Sequence, residues 1–272
     1  MSRELNGAEL VSFIKERQAK QVRNLKQEHH IQPRLVVVIS EDATHVSEVY
    51  VRMKQRYAED IGIIVDIQRT AENEIKSLIQ SLNNDSNTHG IIVQLPLKNH
   101  SQTQEICDEI DSKKDVDGLG ANAAFTSATA EAIDWLLAGY NVELSDKAIA
   151  VIGYGKLVGK PLVALWRGQG HDVEVVDIDT EDRASILRSS DIIVSAAGVP
   201  GMLKSEEVKQ GAVVVDAGTA SEGGVIVGDA DLSLRDRDDV SMTPIKGGVG
   251  PLTIAVLFDH VIQAALVRAR RQ

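Results

Sequence analysis

The stretch Val151–Pro161 decides the fold, and it reads VIGYGKLVGKP. It joins an apolar run, 148–152, to a segment with helical periodicity. Glycines at 153, 155 and 159 have the spacing G-x-G-x-x-x-G, in which one glycine permits the turn, one lets backbone approach a pyrophosphate and one allows close helix packing. The following helix N-terminus adds N–H groups and partial positive charge. The spacing therefore predicts a dinucleotide-binding strand–turn–helix; the alternative is a tight turn that binds no nucleotide.

Asp177 indicates which dinucleotide would bind. It ends a second predicted strand, 173–177, and lies 24 positions after Gly153, where a carboxylate would accept hydrogen bonds from the adenosine ribose. A 2′-phosphate about 4 Å away would meet a repulsion of about 4 kcal/mol at an effective dielectric constant of about 20. The turn offers neither arginine nor serine to relieve it, so we predict NAD as the preferred cofactor and NADP as the alternative. The expected cofactor-binding residues are Gly153, Tyr154, Gly155, Lys156, Val158, Gly159, Asp177, Ala197 and Gly218.

Strands and helices alternate along the rest of the chain. Further apolar, β-branched runs stand at 35–39, 63–67, 91–95, 191–196 and 212–216, and helical periodicity at 10–29, 41–60, 72–82 and 252–270. Such alternation is typical of parallel sheets covered on both faces. Charge and glycine cluster at 113–122, which we take as the boundary between two α/β halves. The last helix could pack on either half.

Composition excludes several classes of protein. The chain has 272 residues with 40 acidic against 29 basic side chains, a formal net charge of −11, whereas nucleic-acid binders carry a basic excess. The 3 Phe, 4 Tyr and 2 Trp are too few for base-stacking platforms. A single cysteine, no signal-peptide pattern and no apolar stretch of about 20 residues predict a cytoplasmic protein without a membrane span. The 7 histidines form no H-x-x-x-H or H-E-x-x-H pair, so no metal site is expected.

Tyr50 and Lys54 form a second candidate site. They are four residues apart in a predicted helix, so that both side chains project from the same face. A lysine in a partly dry site can have its pKa lowered towards neutrality, where proton transfer is efficient. Spacing alone does not distinguish this arrangement from an exposed lysine beside a half-buried tyrosine.

Four sequence blocks occur in a telling order. They are YVRMK at 50–54 with Ser47 before it, GIIVQLPL at 90–97, KDVDG at 114–118 and TPIKGGVGPLT at 243–253. Together they resemble the methylenetetrahydrofolate dehydrogenase/methenyltetrahydrofolate cyclohydrolase family over most of the chain. The resemblance implies a homodimer that oxidises methylenetetrahydrofolate to the methenyl form and hydrolyses that form to 10-formyltetrahydrofolate. It also implies an α/β catalytic, folate-binding domain at 1–121, to which 251–272 returns, and a Rossmann-type domain at 122–250, with folate in the cleft between them.

The resemblance also assigns roles to residues. Lys54 takes the position of the catalytic lysine, Tyr50 that of the tyrosine over the substrate, and Gln94 that of the glutamine that tunes the lysine. Asp117 takes the position of the residue that anchors the pterin through paired hydrogen bonds. A partly neutral Lys54 would activate water and deliver a proton to the departing nitrogen. Further substrate contacts are implied at Ser47, Val93, Leu95, Gly248, Gly250, Pro251 and Thr253.

Several positions depart from the family pattern. The segment 127–130 reads SATA where the family usually has P-C-T-P, Asp177-Ile178 stands in place of His-Ser, and Lys246 replaces a proline. Two alternatives therefore stay open: a cyclohydrolase with weak or absent dehydrogenase activity, and a non-catalytic folate- or nucleotide-binding protein. A short-chain dehydrogenase also carries Tyr-x-x-x-Lys, but there the pair follows the nucleotide motif, whereas Tyr50 precedes Gly153.

Overall fold

A computed structural model describes residues 3–222 and 225–269 of the chain. The chain divides into two compact units, each assembled from segments distant in sequence. The first unit comprises Ser12–Ala128 and Ile254–Gln272, and the second comprises Met1–Val11 and Thr129–Thr253.

A parallel sheet of three strands, in the order β2-β1-β3, is the centre of the first unit. The apolar run of β1 is buried along almost its whole length, and Val36 and Val38 pack with Ile79 of α3. The elements are α1 (Gly7–Glu28), β1 (Arg34–Ser40), α2 (His45–Ile61), β2 (Ile64–Thr70), α3 (Ile75–Asn84), β3 (Gly90–Val93) and α4 (Thr103–Asp108). The first turns of α1 belong to the second unit.

A parallel sheet of five strands, in the order β10-β7-β6-β4-β5, is the centre of the second unit. Because β5 and β6 flank β4 on opposite sides, the chain reverses direction across the sheet at β4, which is where α/β folds bind ligands. A short hairpin pairs β8 with β9. The elements are α5 (Ala128–Gly139), β4 (Ile149–Ile152), α6 (Gly159–Gly168), β5 (Val173–Val176), α7 (Arg183–Ser189), β6 (Ile192–Ser195), β7 (Val213–Asp216), β8 (Ala220–Glu222), β9 (Val225–Val227), α8 (Leu232–Arg235), β10 (Ser241–Met242) and α9 (Val249–Ala269).

The predicted α/β class with parallel sheets is confirmed, and the helix ends differ from the prediction for identifiable reasons. Helix α2 begins at His45 because the Thr44 side chain caps it, accepting from the Ser47 backbone N–H at 3.3 Å. It ends at Gly62, whose φ of 79° is the left-handed conformation favoured at helix ends. The helix predicted to begin at Glu72 begins as a 3₁₀ turn and becomes α-helical at Ile75.

The first residues belong to a different unit from the one predicted. The sequence analysis assigned 1–121 to the first domain, but Leu5 N donates to Met242 O and Ala8 N donates to Gly247 O, each at 2.9 Å. These backbone bonds tie the start of the chain to the second unit, and no side-chain pattern could reveal them. The other unit boundaries lie a few residues beyond the predicted 121/122 and 250/251.

Helix α9 is long and apolar enough, by length and composition alone, to cross a membrane, whereas the sequence analysis found no such stretch. About two thirds of its apolar window, 67%, is buried within the protein. It also carries Asp259 and His260, which are buried and hydrogen-bonded. These properties are those of a core helix.

Candidate active site

Lys54 and Gln94 meet in the first unit. Lys54 lies on α2, and its Nζ donates to Gln94 Oε1 at 2.8 Å. Gln94 directly follows β3, and its backbone N–H continues the sheet pairing by donating to Val38 O at 2.8 Å. Its Nε2 donates to Leu95 O at 2.9 Å, which turns the amide oxygen towards the lysine. The geometry thus confirms that Gln94 contacts Lys54; its tuning role stays a prediction.

Asp117 lies in the electrostatic field of this pair. Burial lowers the pKa of the Lys54 ammonium, and the negative charge of Asp117 opposes that shift. Burial raises the pKa of the Asp117 carboxyl, and the positive charges of Lys54 and His260 oppose it. Both directions bring the neutral forms of the two groups closer to physiological pH. Such a pair can take up and release protons during a reaction.

Asp115 organises the loop that carries Asp117, and the sequence analysis did not single it out. It is 1% exposed and accepts from Gly118 N at 3.0 Å and from Gly120 N at 2.7 Å. Burial raises the pKa of its carboxyl to about 6, while these backbone donors act in the opposite direction. The signal was present in the sequence, because Asp115 is the first aspartate of the KDVDG block.

His260 is a second residue that sequence reasoning missed. Its Nδ1 lies 2.8 Å from Val116 O, and because a carbonyl oxygen only accepts, Nδ1 carries the proton. The ring stacks on Phe125 with centroids 4.6 Å apart. His260 therefore holds the residue between Asp115 and Asp117. In the sequence it is a lone histidine in an apolar helix, a pattern that does not separate a core residue from a functional one.

The remaining predicted residues of the first unit are close to this site in sequence. Tyr50 is half-buried on α2, and burial raises the pKa of its phenol, which keeps it neutral near pH 7. Ser47 is buried, and its Oγ lies 3.1 Å from Thr44 Oγ1, so its visible role is in the cap of α2. Val93 ends β3 and is buried, and Leu95 is half-buried. Substrate contact by these four residues stays a prediction.

The glycine turn of the second unit follows β4, as predicted. Gly153 has φ of 88°, and a Cβ there would lie 2.8 Å from the Cα of Ala197, in the segment after β6. Gly159 begins α6, where a Cβ would lie 1.8 Å from Gly153 O. A Cβ on Gly155 would meet no protein atom within 4 Å. Packing thus requires glycine at 153 and 159, while residue 155 has room beside it.

Asp177 directly follows β5 and is held by its own turn. Its Oδ1 accepts from Thr180 Oγ1 at 2.8 Å and from Asp179 N at 3.1 Å. The segment 177–182 reads DIDTED and adds further negative charge. The next cation, Arg183, pairs with Glu207 at 2.8 Å and also donates to Met202 O at 3.0 Å.

The other predicted residues of the second unit fall on loops and helix starts. Tyr154, Lys156 and Val158 line the turn between β4 and α6, and Gly218 follows β7. The residues predicted to line a folate pocket lie just before α9 or in its first turns: Gly248, Gly250, Pro251 and Thr253. Within residues 3–222 and 225–269, no three His, Cys, Asp or Glu side chains form a metal-binding group.

A parallel sheet with a glycine turn at its switch point defines the second unit as a dinucleotide-binding domain of the Rossmann type. Two family models match the chain. The tetrahydrofolate dehydrogenase/cyclohydrolase catalytic domain covers residues 5–117, and the NAD(P)-binding domain of the same family covers residues 127–269. The chain belongs to the tetrahydrofolate dehydrogenase/cyclohydrolase family.

Full-length relatives support this assignment. The chain is 37% identical to bifunctional protein FolD of Lactobacillus acidophilus, with 97% of each chain covered. The crystal structure of the bifunctional FolD enzyme from Campylobacter jejuni superimposes with a TM-score of 0.91 at 34% identity, covering 98% of this chain and 100% of that one. The Trypanosoma brucei FolD enzyme, complexed with NADP cofactor and inhibitor, superimposes with a TM-score of 0.89 at 30% identity, covering 100% of this chain and 99% of that one.

Proposed function

We propose that this chain oxidises 5,10-methylenetetrahydrofolate with a nicotinamide dinucleotide and hydrolyses the methenyl product to 10-formyltetrahydrofolate. The observation that carries the proposal is the bond between Lys54 and Gln94 in the field of Asp117. Both domains of a bifunctional enzyme of this family are present in the chain.

The hydrolytic step assigns Lys54 to proton transfer. A water oxygen bonds to the methenyl carbon, and one proton must reach the departing nitrogen as its bond to that carbon breaks. A lysine whose pKa is lowered by burial can take a proton from the water and pass it to the nitrogen. Gln94 accepts a hydrogen bond from Nζ without adding charge, so it orients the amine and leaves its pKa low. Asp117 would bind the pterin N–H groups, and Tyr50 would cover the substrate.

The oxidative step uses the second unit. When bound, the nicotinamide supplies the hydride acceptor. The space beside Gly155 and the start of α6 fit a pyrophosphate, because backbone N–H groups there can approach an anion. The chain's contribution to this step is then to hold the nicotinamide face against the substrate.

We propose NAD as the preferred cofactor on the basis of Asp177. The bonds from Thr180 and Asp179 fix its carboxylate, and the neighbouring acidic side chains add repulsion towards a 2′-phosphate. Comparison of kcat/KM for NAD and NADP tests this preference. In Asp177→Ser, the ratio should move towards NADP; a wild-type enzyme that prefers NADP would contradict the assignment.

We also propose that the chain acts as a homodimer in the cytoplasm. The proposal rests on the family resemblance and on the absence of a signal-peptide pattern. Light scattering coupled to size-exclusion chromatography gives the mass directly, and a monomer at assay concentration would refute the dimer.

One assay separates the proposed function from its alternatives. Absorbance of methenyltetrahydrofolate is followed with NAD, with NADP and with neither nucleotide. Hydrolysis of added methenyl substrate without turnover of either nucleotide would favour the cyclohydrolase reading, which the SATA segment at 127–130 motivates. Lys54→Met should abolish hydrolysis and leave dinucleotide binding unchanged. If Lys54→Met hydrolyses normally, the role of Lys54 is wrong.

A further inference from the structure

Asp229, in the second unit, makes an unusual number of bonds to a single loop. Its carboxylate is fully buried, and Oδ2 accepts from Ser195 Oγ at 2.7 Å, from Ala197 N at 2.8 Å and from Gly198 N at 3.3 Å. Oδ1 accepts from Val199 N at 2.8 Å. Three consecutive backbone N–H groups of the segment 197–199 are thus directed at one carboxylate.

This loop forms one wall of the dinucleotide crevice. It follows β6, and Gly153 of the glycine turn approaches it so closely that a Cβ would lie 2.8 Å from the Cα of Ala197. Asp177 follows β5, on the other side of β4. If Asp177 binds the adenosine ribose, the other half of the dinucleotide extends towards β6 and reaches the segment 196–199.

A second buried carboxylate fixes Asp229 in turn. Asp216, at the end of β7, accepts from Asp229 N at 2.9 Å and from Ala230 N at 3.1 Å, and it pairs with Arg235 at 2.5 Å. A Cβ on Gly228 would lie 2.1 Å from Asp216 Oδ2, so the chain there has no space for a side chain. The position of Asp229 is therefore determined by an ion pair and by backbone packing.

Gly218 completes this arrangement from the segment after β7. A Cβ on Gly218 would lie 2.2 Å from Asp229 Oδ1, so the carboxylate packs directly on its backbone. Gly218 was predicted as a cofactor-binding residue, and the contact seen in the structure is with Asp229.

We propose that Asp229 is a positioning residue for the dinucleotide, which fixes the segment 196–199 as the β6-side wall of the crevice. The proposal rests on the function proposed above. A loop held by a buried carboxylate does not have to be ordered when the ligand binds, which favours affinity. Because the N–H groups of 197–199 are engaged, this wall offers its carbonyl and side-chain faces, and the phosphates depend on the turn after β4 for their donors.

The test compares Asp229→Asn with Asp231→Asn in the full-length protein. The asparagine keeps the volume but places an NH₂ group among N–H donors, so the loop loses accepted hydrogen bonds. Asp231→Asn makes the same charge change two residues away, where the carboxylate pairs with Lys204 at 2.7 Å and caps α8. Titration calorimetry with NAD⁺ gives Kd, and the two enzymatic assays give kcat and KM for oxidation and hydrolysis.

We expect Asp229→Asn to raise Kd and KM for the dinucleotide by about tenfold, as the loss of hydrogen bonds to a charged acceptor implies. Hydrolysis without nucleotide, and both parameters of Asp231→Asn, should stay within about twofold of wild type. Ser195→Ala removes one donor only and should give a smaller increase in the same direction, which provides the reading if Asp229→Asn does not fold. Unchanged NAD⁺ affinity in both Asp229→Asn and Ser195→Ala would overturn the proposal, as would an equal loss of hydrolysis. A wild type that binds NAD⁺ tightly but oxidises nothing contradicts the proposed function alone.

Discussion

Gln94 presents its amide oxygen to Lys54, with Oε1 2.8 Å from Nζ, because its Nε2 is committed to the carbonyl of Leu95 at 2.9 Å. A glutamine oxygen accepts a hydrogen bond without a formal charge. A carboxylate in the same place would stabilise the ammonium and raise the lysine pKa. The amide therefore orients Lys54 while burial keeps its pKa low.

Replacement of this amide tests the argument. In Gln94→Glu, the added charge should raise the pKa of Lys54 by about one to three units. The alkaline rise in the kcat/KM profile for hydrolysis should move upward by the same amount, and the rate near pH 7 should fall by about tenfold or more. Gln80→Glu, on the exposed surface of α3, is the matched control. A pH profile that does not move in Gln94→Glu would show that Lys54 is not the titrating group.

Asp115→Asn should weaken folate binding through Asp117. The carboxylate of Asp115 accepts from the backbone of Gly118 and Gly120, and the amide would offer one oxygen and a clashing NH₂ group. We expect KM for the folate substrate to rise by about tenfold, with kcat less affected. Asp111→Asn is the control in the same loop, since Asp111 is exposed and caps only Lys113 N. Equal kinetics for the two variants would contradict the positioning role.

His260 offers a donor whose loss can be separated from the loss of its ring. In His260→Leu, the buried carbonyl of Val116 loses its bond, which should lower the free energy of unfolding by about 1–3 kcal/mol and raise KM for folate. His260→Asn restores an N–H donor near the same place and should recover part of both losses. Urea unfolding and substrate kinetics on the two variants measure this. The exposed His29→Leu is the control, and no difference between His260→Asn and His260→Leu would assign the effect to the ring and its stacking on Phe125.

Sequence patterns predicted the parts of this protein that depend on local chemistry. The strands at 35–39 and 148–152 follow from continuous apolar runs, and the turn at Gly153 follows from its spacing. The bond between Lys54 and Gln94 was anticipated only through the family blocks, because 40 residues separate them. The roles of Asp229 and His260 depend on contacts across 30 or more residues with backbone atoms, and backbone partners leave no trace in residue type.

His89 makes acid the weak point of the first unit. It is 6% exposed, and neither ring nitrogen has a hydrogen-bond partner within the described part of the chain. Burial, followed by the positive charges of Arg268, Lys114 and Arg34, lowers its pKa to about 4. The unfolded chain takes up this proton near pH 6.5, whereas the folded chain does so only near pH 4, so stability is lost as the pH falls between these values.

The expected loss through this window is about 3 kcal/mol, obtained from the difference between the two pKa values. His89→Phe fills the site with an apolar ring that does not titrate, so its stability should fall less steeply with acid than that of wild type. Urea unfolding followed by far-UV circular dichroism, at several pH values from 7 down to about 4.5, measures both slopes. His29→Phe, on an exposed site, should keep the wild-type slope. If wild type and His89→Phe lose stability in parallel, protonation of His89 is not what opposes folding in acid.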